Sequence, residues 1–175
     1  MGKSYKQFLK DITTFVFDVD GVFTDGNVLI TSEGELLRKM SVKDGYALKT
    51  AIQKGYNVCI ISGGTNEGVG IRLKGLGVTD VYLGASMKEA PLKEYLSNNK
   101  IDSKNVLYMG DDLPDIPAMK LVAIAACPQD AVQEVKEVCD YISHRHSGDE
   151  CVRDVIEQVL KVRGDWYQNF SAAND

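Results

Sequence analysis

The sequence has no long apolar stretch, few cysteines and no excess of basic residues, and each absence argues against a class of protein. No run of about 18 apolar residues is present, so a membrane-spanning helix is not predicted. The start of the chain lacks an apolar core and a cleavage motif, so we expect no secretory signal. Twenty Lys and Arg against 25 Asp and Glu give a net charge of −5, which disfavours general nucleic-acid binding.

The cysteines form no C-x-x-C pair; they are Cys59, Cys127, Cys139 and Cys151. This scatter favours free thiols in a reducing cytoplasm. Cys139 and Cys151 flank His144 and His146, but paired zinc ligands usually stand two to four residues apart. A zinc site is therefore not expected.

Strand and helix patterns alternate along the chain. Apolar and β-branched segments predict strands at 13–19, 56–61, 80–83, 106–109, 121–125 and 141–143. Periodic segments predict helices at 43–55, 66–76, 86–99, 114–119, 130–138 and 148–162. The alternation predicts one three-layer, Rossmann-like α/β domain over residues 1–163 with a mostly parallel sheet. Residues 164–175 are expected to form a tail whose exposed-looking aromatic residues dock on another surface: Trp166, Tyr167 and Phe170.

Residues 27–40 interrupt the alternation and predict a β-hairpin outside the main sheet. Two short apolar segments, 28–31 and 35–40, are separated by a turn that ends at Gly34. A two-stranded ribbon is marginally stable alone. This one is also unusually apolar for an exposed ribbon, with Val28, Leu29, Ile30, Leu36, Leu37 and Met40. We therefore expect it to pack against other copies of the chain, the alternative being that it folds back onto its own domain.

Polar residues follow the predicted strands at their carboxyl ends, where ligands bind in open α/β sheets. The four segments concerned are Asp18-Val19-Asp20-Gly21, Ser62-Gly63-Gly64-Thr65, Gly84 to Lys88, and Gly110-Asp111-Asp112. Clustered carboxylates repel one another unless a cation lies among them, and a set of oxygen ligands favours Mg²⁺. A lysine and glycine-rich turns beside such an ion predict a phosphate site. One carboxylate could then attack the phosphoryl group, and a second could exchange protons with the leaving group and with water.

These motifs resemble those of a known superfamily. DVDGVFTDG (18–26), Ser62-Gly63, Lys88 and GDD (110–112) are similar to the four signature motifs of the haloacid dehalogenase (HAD) superfamily of phosphotransferases. With KDGYALK (43–49) and GDDLPDIPAM (110–119), the resemblance narrows to the 3-deoxy-D-manno-octulosonate 8-phosphate (KDO 8-phosphate) phosphatases and spans residues 11–163. It implies a HAD fold without a separate cap domain. It also implies Mg²⁺-dependent hydrolysis of KDO 8-phosphate in lipopolysaccharide biosynthesis, in a cytoplasmic homotetramer.

The resemblance also assigns roles to individual residues. Asp18 matches the nucleophile and Asp20 the general acid/base. Mg²⁺ would be held by the Asp18 carboxylate, the Asp20 backbone carbonyl and Asp111, with Asp112 in support. The implied phosphate-binding residues are Ser62, Gly63 and Lys88. The implied sugar-binding residues are Ser41, Val42, Lys43, Asp44, Gly45, Lys49, Gly64 and Arg72; of these, the Arg72 guanidinium suits a substrate carboxylate.

Two alternatives remain at this point. Related phosphatases act on nine-carbon, sialic-type 2-keto acid 9-phosphates such as KDN 9-phosphate, and the sequence does not separate that substrate from the eight-carbon one. A phospho-receiver signalling domain also combines acids, a hydroxyl residue and a lysine. Receivers, however, place the acid pair after the first strand and the phosphate acceptor after the third. Here the D-x-D pair comes first and Asp111-Asp112 comes late, so the phosphatase is favoured and a small-molecule sugar phosphate is the expected partner.

Overall fold

The computed structural model describes residues 4–166, and its strands form two sheets. The strands are β1 (Thr14–Phe17), β2 (Leu29–Ile30), β3 (Leu36–Leu37), β4 (Asn57–Ile61), β5 (Asp80–Tyr82), β6 (Val106–Met109), β7 (Ile124–Cys127) and β8 (Tyr141–Ile142). Six of them form the main sheet in the order β5-β4-β1-β6-β7-β8, and every pairing in that sheet is parallel. The expected mostly parallel α/β sheet is confirmed.

Helices cover both faces of this sheet. They are α1 (Val42–Gln53), α2 (Glu67–Gly75), α3 (Glu89–Asn99), α4 (Ile116–Met119), α5 (Gln133–Val138) and α6 (Cys151–Arg163). One core contains the buried residues of α1, α2 and α6, and a second contains those of α3, α4 and α5. Sheet and helices therefore make three layers. None of the helices among residues 4–166 has the length and apolar character needed to cross a bilayer.

Local sequence accounts for most of these elements. All four residues of β1 are buried because helices cover both of its faces. Helix α6 buries residues spaced three and four apart, which puts them on one face: Val152, Val155, Ile156, Val159 and Leu160. Helices α1 and α2 are followed by Gly55 and Gly77 in the left-handed conformation, with φ of 84° and 97°. The strand predicted at 121–125 instead covers Ile124–Cys127, because residues 121–123 form a turn before it.

The hairpin is present as predicted, with β2 and β3 paired antiparallel. Its turn ends at Gly34, whose φ is 84°. Leu29 and Ile30 are 68% and 66% exposed, and Val28, Leu36 and Leu37 are also exposed. Met40 is not exposed with the other apolar residues of the hairpin; it is partly buried and packs against the first of the two cores. The ribbon thus projects an apolar surface to the outside.

The domain continues past residue 163. Trp166 is buried, packs edge-on against Tyr46 and lies 5.6 Å from the Arg153 guanidinium. Asp165 accepts a hydrogen bond from the Tyr56 hydroxyl at 2.7 Å. The expectation of an exposed Trp166 is therefore wrong, because this ring completes the core between α1 and α6. Tyr167 and Phe170 lie outside the described residues.

Candidate active site

The candidate site lies at the carboxyl end of β1, in the middle of the main sheet. The chain moves outward from β1 to β4 and β5 on one side, and from β6 to β7 and β8 on the other. This reversal opens a crevice beyond the strand ends. Asp18 follows β1 directly, and its backbone N–H donates to the carbonyl of Met109 at 3.0 Å, which aligns the ends of β1 and β6.

A buried lysine joins two carboxylates in this crevice. Lys88 Nζ lies 2.9 Å from Asp18 Oδ2 and 2.8 Å from Asp115 Oδ1. Asp115 is fully buried in the turn after β6, and its Oδ1 also accepts from the Tyr108 hydroxyl at 2.8 Å. Its Oδ2 accepts from the backbone N–H groups of Asp111 and Asp112. Asp115 therefore fixes both the lysine and the loop that carries Asp111.

Asp111 brings a third carboxylate to the same point. Carboxylate oxygens of Asp18, Asp111 and Asp115 all lie within 4.8 Å of one another. Asp111 Oδ1 is buried and has no hydrogen-bond partner. A Cβ atom on Gly21, whose φ is 85°, would lie 1.9 Å from Asp111 Oδ2, so only glycine leaves room for this carboxylate. An orphaned oxygen among oxygen donors, with no nitrogen or sulfur ligand in the cluster, fits a Mg²⁺ ion.

Burial, and after it charge repulsion, raises the pKa values of two carboxyl groups in the cluster. Burial and the charge of Asp115 raise the pKa of Asp18 to about 6, against the opposing effect of Lys88. Burial and the charges of Asp18 and Asp115 raise the pKa of Asp111 to about 8. Burial lowers the pKa of Lys88, but the two facing carboxylates outweigh burial and raise it. One ammonium group therefore does not balance three carboxylates, and a divalent cation would.

A cavity of about 380 Å³ opens from the cluster. The Ser62 loop forms one wall, where Ser62 Oγ accepts from the Gly64 N–H at 3.1 Å. The loop is tied to its neighbour because the Ala85 N–H donates to the Ser62 carbonyl. The cavity is lined by Asp18, Asp20, Gly26, Ser62, Gly63, Gly64, Ala85, Ser86, Lys88, Asp111, Asp112 and Pro114. The structure thus gathers all the residues expected to act in catalysis, phosphate binding and metal binding.

Asp20 stands at the mouth of this cavity with its side chain 34% exposed. Its carboxylate is held by a residue that sequence analysis did not identify. Arg38 Nε lies 2.7 Å from Asp20 Oδ1, and Arg38 Nη2 lies 3.0 Å from Asp20 Oδ2. Arg38 follows β3 of the hairpin, so no motif spacing linked it to the D-x-D pair.

The expected sugar-binding residues are placed differently. Of that set, Gly64 lines the cavity, whereas Ser41, Val42, Lys43, Asp44, Gly45, Lys49 and Arg72 do not. Asp44 is fully buried, and its Oδ1 accepts from the Arg153 N–H in the first turn of α6 at 2.7 Å. The structure therefore gives the Asp44 carboxylate a different role from the predicted sugar contact, because it is buried and caps α6. Lys43 pairs with Glu150 at 2.6 Å, and Arg72 lies against Gly45.

Asp112, the predicted supporting acid, lines the cavity next to Asp111. Asp112 is exposed, and its Oδ1 accepts from the Leu113 N–H, so it caps the turn at 113–115. Asp115, which was not among the predicted site residues, occupies a fully buried position beside Asp18 and Asp111. The sequence did contain a signal for Asp115, because it stands four residues after Asp111 in GDDLPD. The turn between the two residues brings the Asp115 side chain back to the end of β6.

Known proteins are similar to this chain in sequence and in fold. A family model described as haloacid dehalogenase-like hydrolase matches residues 74–156. The chain is 34% identical over 155 residues to the 3-deoxy-D-manno-octulosonate 8-phosphate phosphatase KdsC of Salmonella typhi, covering 89% of this chain and 82% of that protein. The chain belongs to the KDO 8-phosphate phosphatase family. The KdsC protein of Yersinia pestis is 32% identical over 150 residues, covering 86% of this chain and 80% of that one.

Solved structures agree with membership of this phosphatase family. The 3-deoxy-D-manno-octulosonate 8-phosphate phosphatase of Yersinia pestis superposes with a TM-score of 0.92 at 29% identity, covering 96% of this chain and 91% of that one. The corresponding phosphatase of Moraxella catarrhalis, in complex with magnesium, phosphate and KDO, superposes with a TM-score of 0.89 at 31% identity, covering 93% of each chain. The HAD fold expected from the motifs is confirmed.

Proposed function

We propose that this chain hydrolyses KDO 8-phosphate to KDO and inorganic phosphate with Mg²⁺ as cofactor. One observation carries the proposal: the Asp18 carboxylate ends the central strand, lies 2.9 Å from the buried Lys88 ammonium, and faces the cavity. Membership of the phosphatase family and the structural likeness to a relative holding magnesium, phosphate and KDO support the substrate and the ion.

Asp18, Asp111 and the backbone carbonyl of Asp20 would hold Mg²⁺. The bound ion would offset the carboxylate charge and polarise a phosphoryl oxygen. The role assigned here to Asp115 is indirect: it holds Lys88 and the Asp111 loop in place through the contacts described above.

The chemistry proceeds in two displacements. Asp18 attacks phosphorus, a bond forms between its carboxylate oxygen and phosphorus, and the bond from phosphorus to the sugar oxygen breaks. Asp20 donates a proton to that leaving oxygen. Asp20 then takes a proton from water as the water oxygen bonds to phosphorus and the bond to Asp18 breaks. Lys88, Ser62 and the N–H groups of the Ser62 loop bind the phosphoryl oxygens throughout.

The test is phosphate release from a panel of sugar phosphates. KDO 8-phosphate should give the highest kcat/KM, ahead of the nine-carbon KDN 9-phosphate and of glucose 6-phosphate. The Asp18→Asn variant, checked for deamidation, is the matched control for contaminating phosphatase. Release from KDO 8-phosphate no faster than that control would refute the proposal, and a higher kcat/KM on KDN 9-phosphate would favour the nine-carbon substrate.

We also propose that the chain acts as a cytoplasmic homotetramer. The described cysteines are unpaired, which suits a reducing compartment. The hairpin exposes five apolar side chains on a two-stranded ribbon, and such a ribbon gains stability when its apolar face is covered. A neighbour's hairpin is the occupant that the family resemblance favours. Ribbons from other copies of the chain would also shield the open cavity from water.

A further inference from the structure

The hairpin contributes one side chain that turns inward. Arg38 is only 10% exposed at the end of an otherwise exposed ribbon, and its guanidinium contacts both oxygens of Asp20. Such a two-point contact fixes the plane of the carboxylate as well as its distance. Arg38 Nη2 uses one of the two lone pairs of Asp20 Oδ2, so this oxygen can still exchange a proton with substrate or water.

Arg38 is itself held in place from the opposite side. Its Nη1 donates to the Leu36 carbonyl at 3.1 Å, and the Asn66 side chain donates to the same carbonyl at 2.9 Å. Asn66 caps α2 by accepting a hydrogen bond from the Val69 N–H. The ribbon is therefore fastened to the helix that follows the Ser62 loop, and its arginine has a defined position over the cavity.

Gly64 lies close to the ion pair between Arg38 and Asp20. A Cβ atom at Gly64 would lie 3.2 Å from Asp20 Oδ2 and 3.6 Å from Arg38 Nη2. A larger side chain would press on the ion pair from the phosphate side. The small residue at position 64 therefore leaves room for the Asp20 carboxylate that Arg38 holds.

Without Arg38, little would orient Asp20. Among the contacts of the described residues, the other side-chain hydrogen bond to its carboxylate comes from Thr24 Oγ1 at 3.4 Å, which is long. We propose that Arg38 is a positioning residue that holds the Asp20 carboxylate in the orientation required for proton exchange. This inference rests on the proposed function, because it assigns Asp20 as the acid/base.

The experiment compares Arg38→Met, Arg38→Lys, Asp20→Asn and the Asp20→Asn/Arg38→Met double variant, on KDO 8-phosphate and on p-nitrophenyl phosphate. We expect Arg38→Met to lower kcat about 10- to 100-fold while KM changes little, since small displacements of a catalytic group cost on the order of 100-fold. Arg38→Lys should have an intermediate kcat, because the lysine ammonium makes a single-point contact where the guanidinium contacts both carboxylate oxygens. The double variant should be no slower than Asp20→Asn, because Arg38 would act only through Asp20.

Lys39→Met is the matched control. Lys39 is the next residue of the same ribbon and is 82% exposed, so its loss should leave kcat unchanged. Circular dichroism and thermal unfolding check that each variant is folded; should Arg38→Met not fold, Arg38→Lys takes its place in the double-variant comparison.

Three results would overturn the inference: an unchanged kcat for Arg38→Met, a change confined to KM, or losses that multiply in the double variant. The last two would make Arg38 a direct substrate contact. Turnover of p-nitrophenyl phosphate without turnover of KDO 8-phosphate would refute the proposed substrate alone. Because p-nitrophenolate leaves without a proton, the ratios measured on p-nitrophenyl phosphate would then decide whether Arg38 orients Asp20 as the base that activates water.

Discussion

Asp44 should make the folded protein less stable as pH rises from 4 to 7. Its side chain is fully buried between α1 and α6, where Oδ1 caps α6 and Oδ2 has no hydrogen-bond partner. Burial raises the pKa of Asp44 to about 6 from 3.8; the Arg153 N–H opposes this rise, and the charges of Glu150 and Asp149 add to it. The folded state therefore binds this proton more tightly than the unfolded state does.

The sign and size of the effect follow from linkage between protonation and folding. Protonated Asp44 contributes stability that is fully present below pH 3.8 and is lost as pH rises through about 6. A rise in pKa of about two units corresponds to about 3 kcal/mol in the free energy of unfolding. About 2 kcal/mol of that loss falls between roughly pH 4.5 and 7.5, because the unfolded chain is already largely ionised at the lower pH.

Urea unfolding of the wild type and of Asp44→Asn at several pH values measures this loss. The asparagine keeps an oxygen for the Arg153 N–H and places an unpaired amide where Oδ2 was, at a cost that does not depend on pH. The wild type should therefore lose about 2 kcal/mol relative to Asp44→Asn on going from about pH 4.5 to 7.5. Glu94→Gln, which alters an exposed carboxylate, is the control and should track the wild type. A constant difference between wild type and Asp44→Asn, or one that changes in the opposite direction, would refute the reasoning.

Three further predictions concern the site and the assembly. Asp18→Asn should keep the fold and lower kcat by several orders of magnitude, because it removes the proposed nucleophile. Rapid-quench experiments should detect a labelled phosphoenzyme in the wild type and not in the variant. EDTA should abolish activity, Mg²⁺ should restore it and Ca²⁺ should not, because the looser coordination of Ca²⁺ misplaces the nucleophile; full phosphate release by metal-free protein would contradict this. Light scattering should give a mass near four times 19.3 kDa. The double substitution Ile30→Lys with Leu37→Glu should lower both the mass of the assembly and its activity. A fully active monomer would contradict the proposal that neighbouring hairpins shield the cavity.

The active-site cluster was largely predictable because its residues sit at strand ends. Once the strand pattern of β1, β4 and β6 is read, parallel pairing places Asp18, Ser62 and Asp111 at one edge of the sheet. Two carboxylates and a hydroxyl at one sheet edge then indicate a binding site for a cation and a phosphate group. The hairpin was predictable for a similar reason, since two short apolar segments around a glycine turn form a local structure.

Other features depended on contacts between distant parts of the chain. Asp44 was assigned to sugar binding from its motif, but the packing of α1 against α6 buries its carboxylate and makes it a helix cap. Trp166 read as exposed because its segment has no periodic pattern, yet a gap between the same two helices accepts its ring.

The sequence by itself determined the order of strands and helices, the protruding ribbon, and the acids, hydroxyl and lysine that meet at the sheet edge. These features can be predicted because each depends on the hydrophobic periodicity of a short segment or on the parallel pairing of successive strands. Only the tertiary structure decided that Asp115 is buried in the cluster beside Lys88, and that Arg38 of the hairpin binds the Asp20 carboxylate. Both depend on where a side chain points after a turn or a ribbon has folded back, and that direction is set by packing in three dimensions.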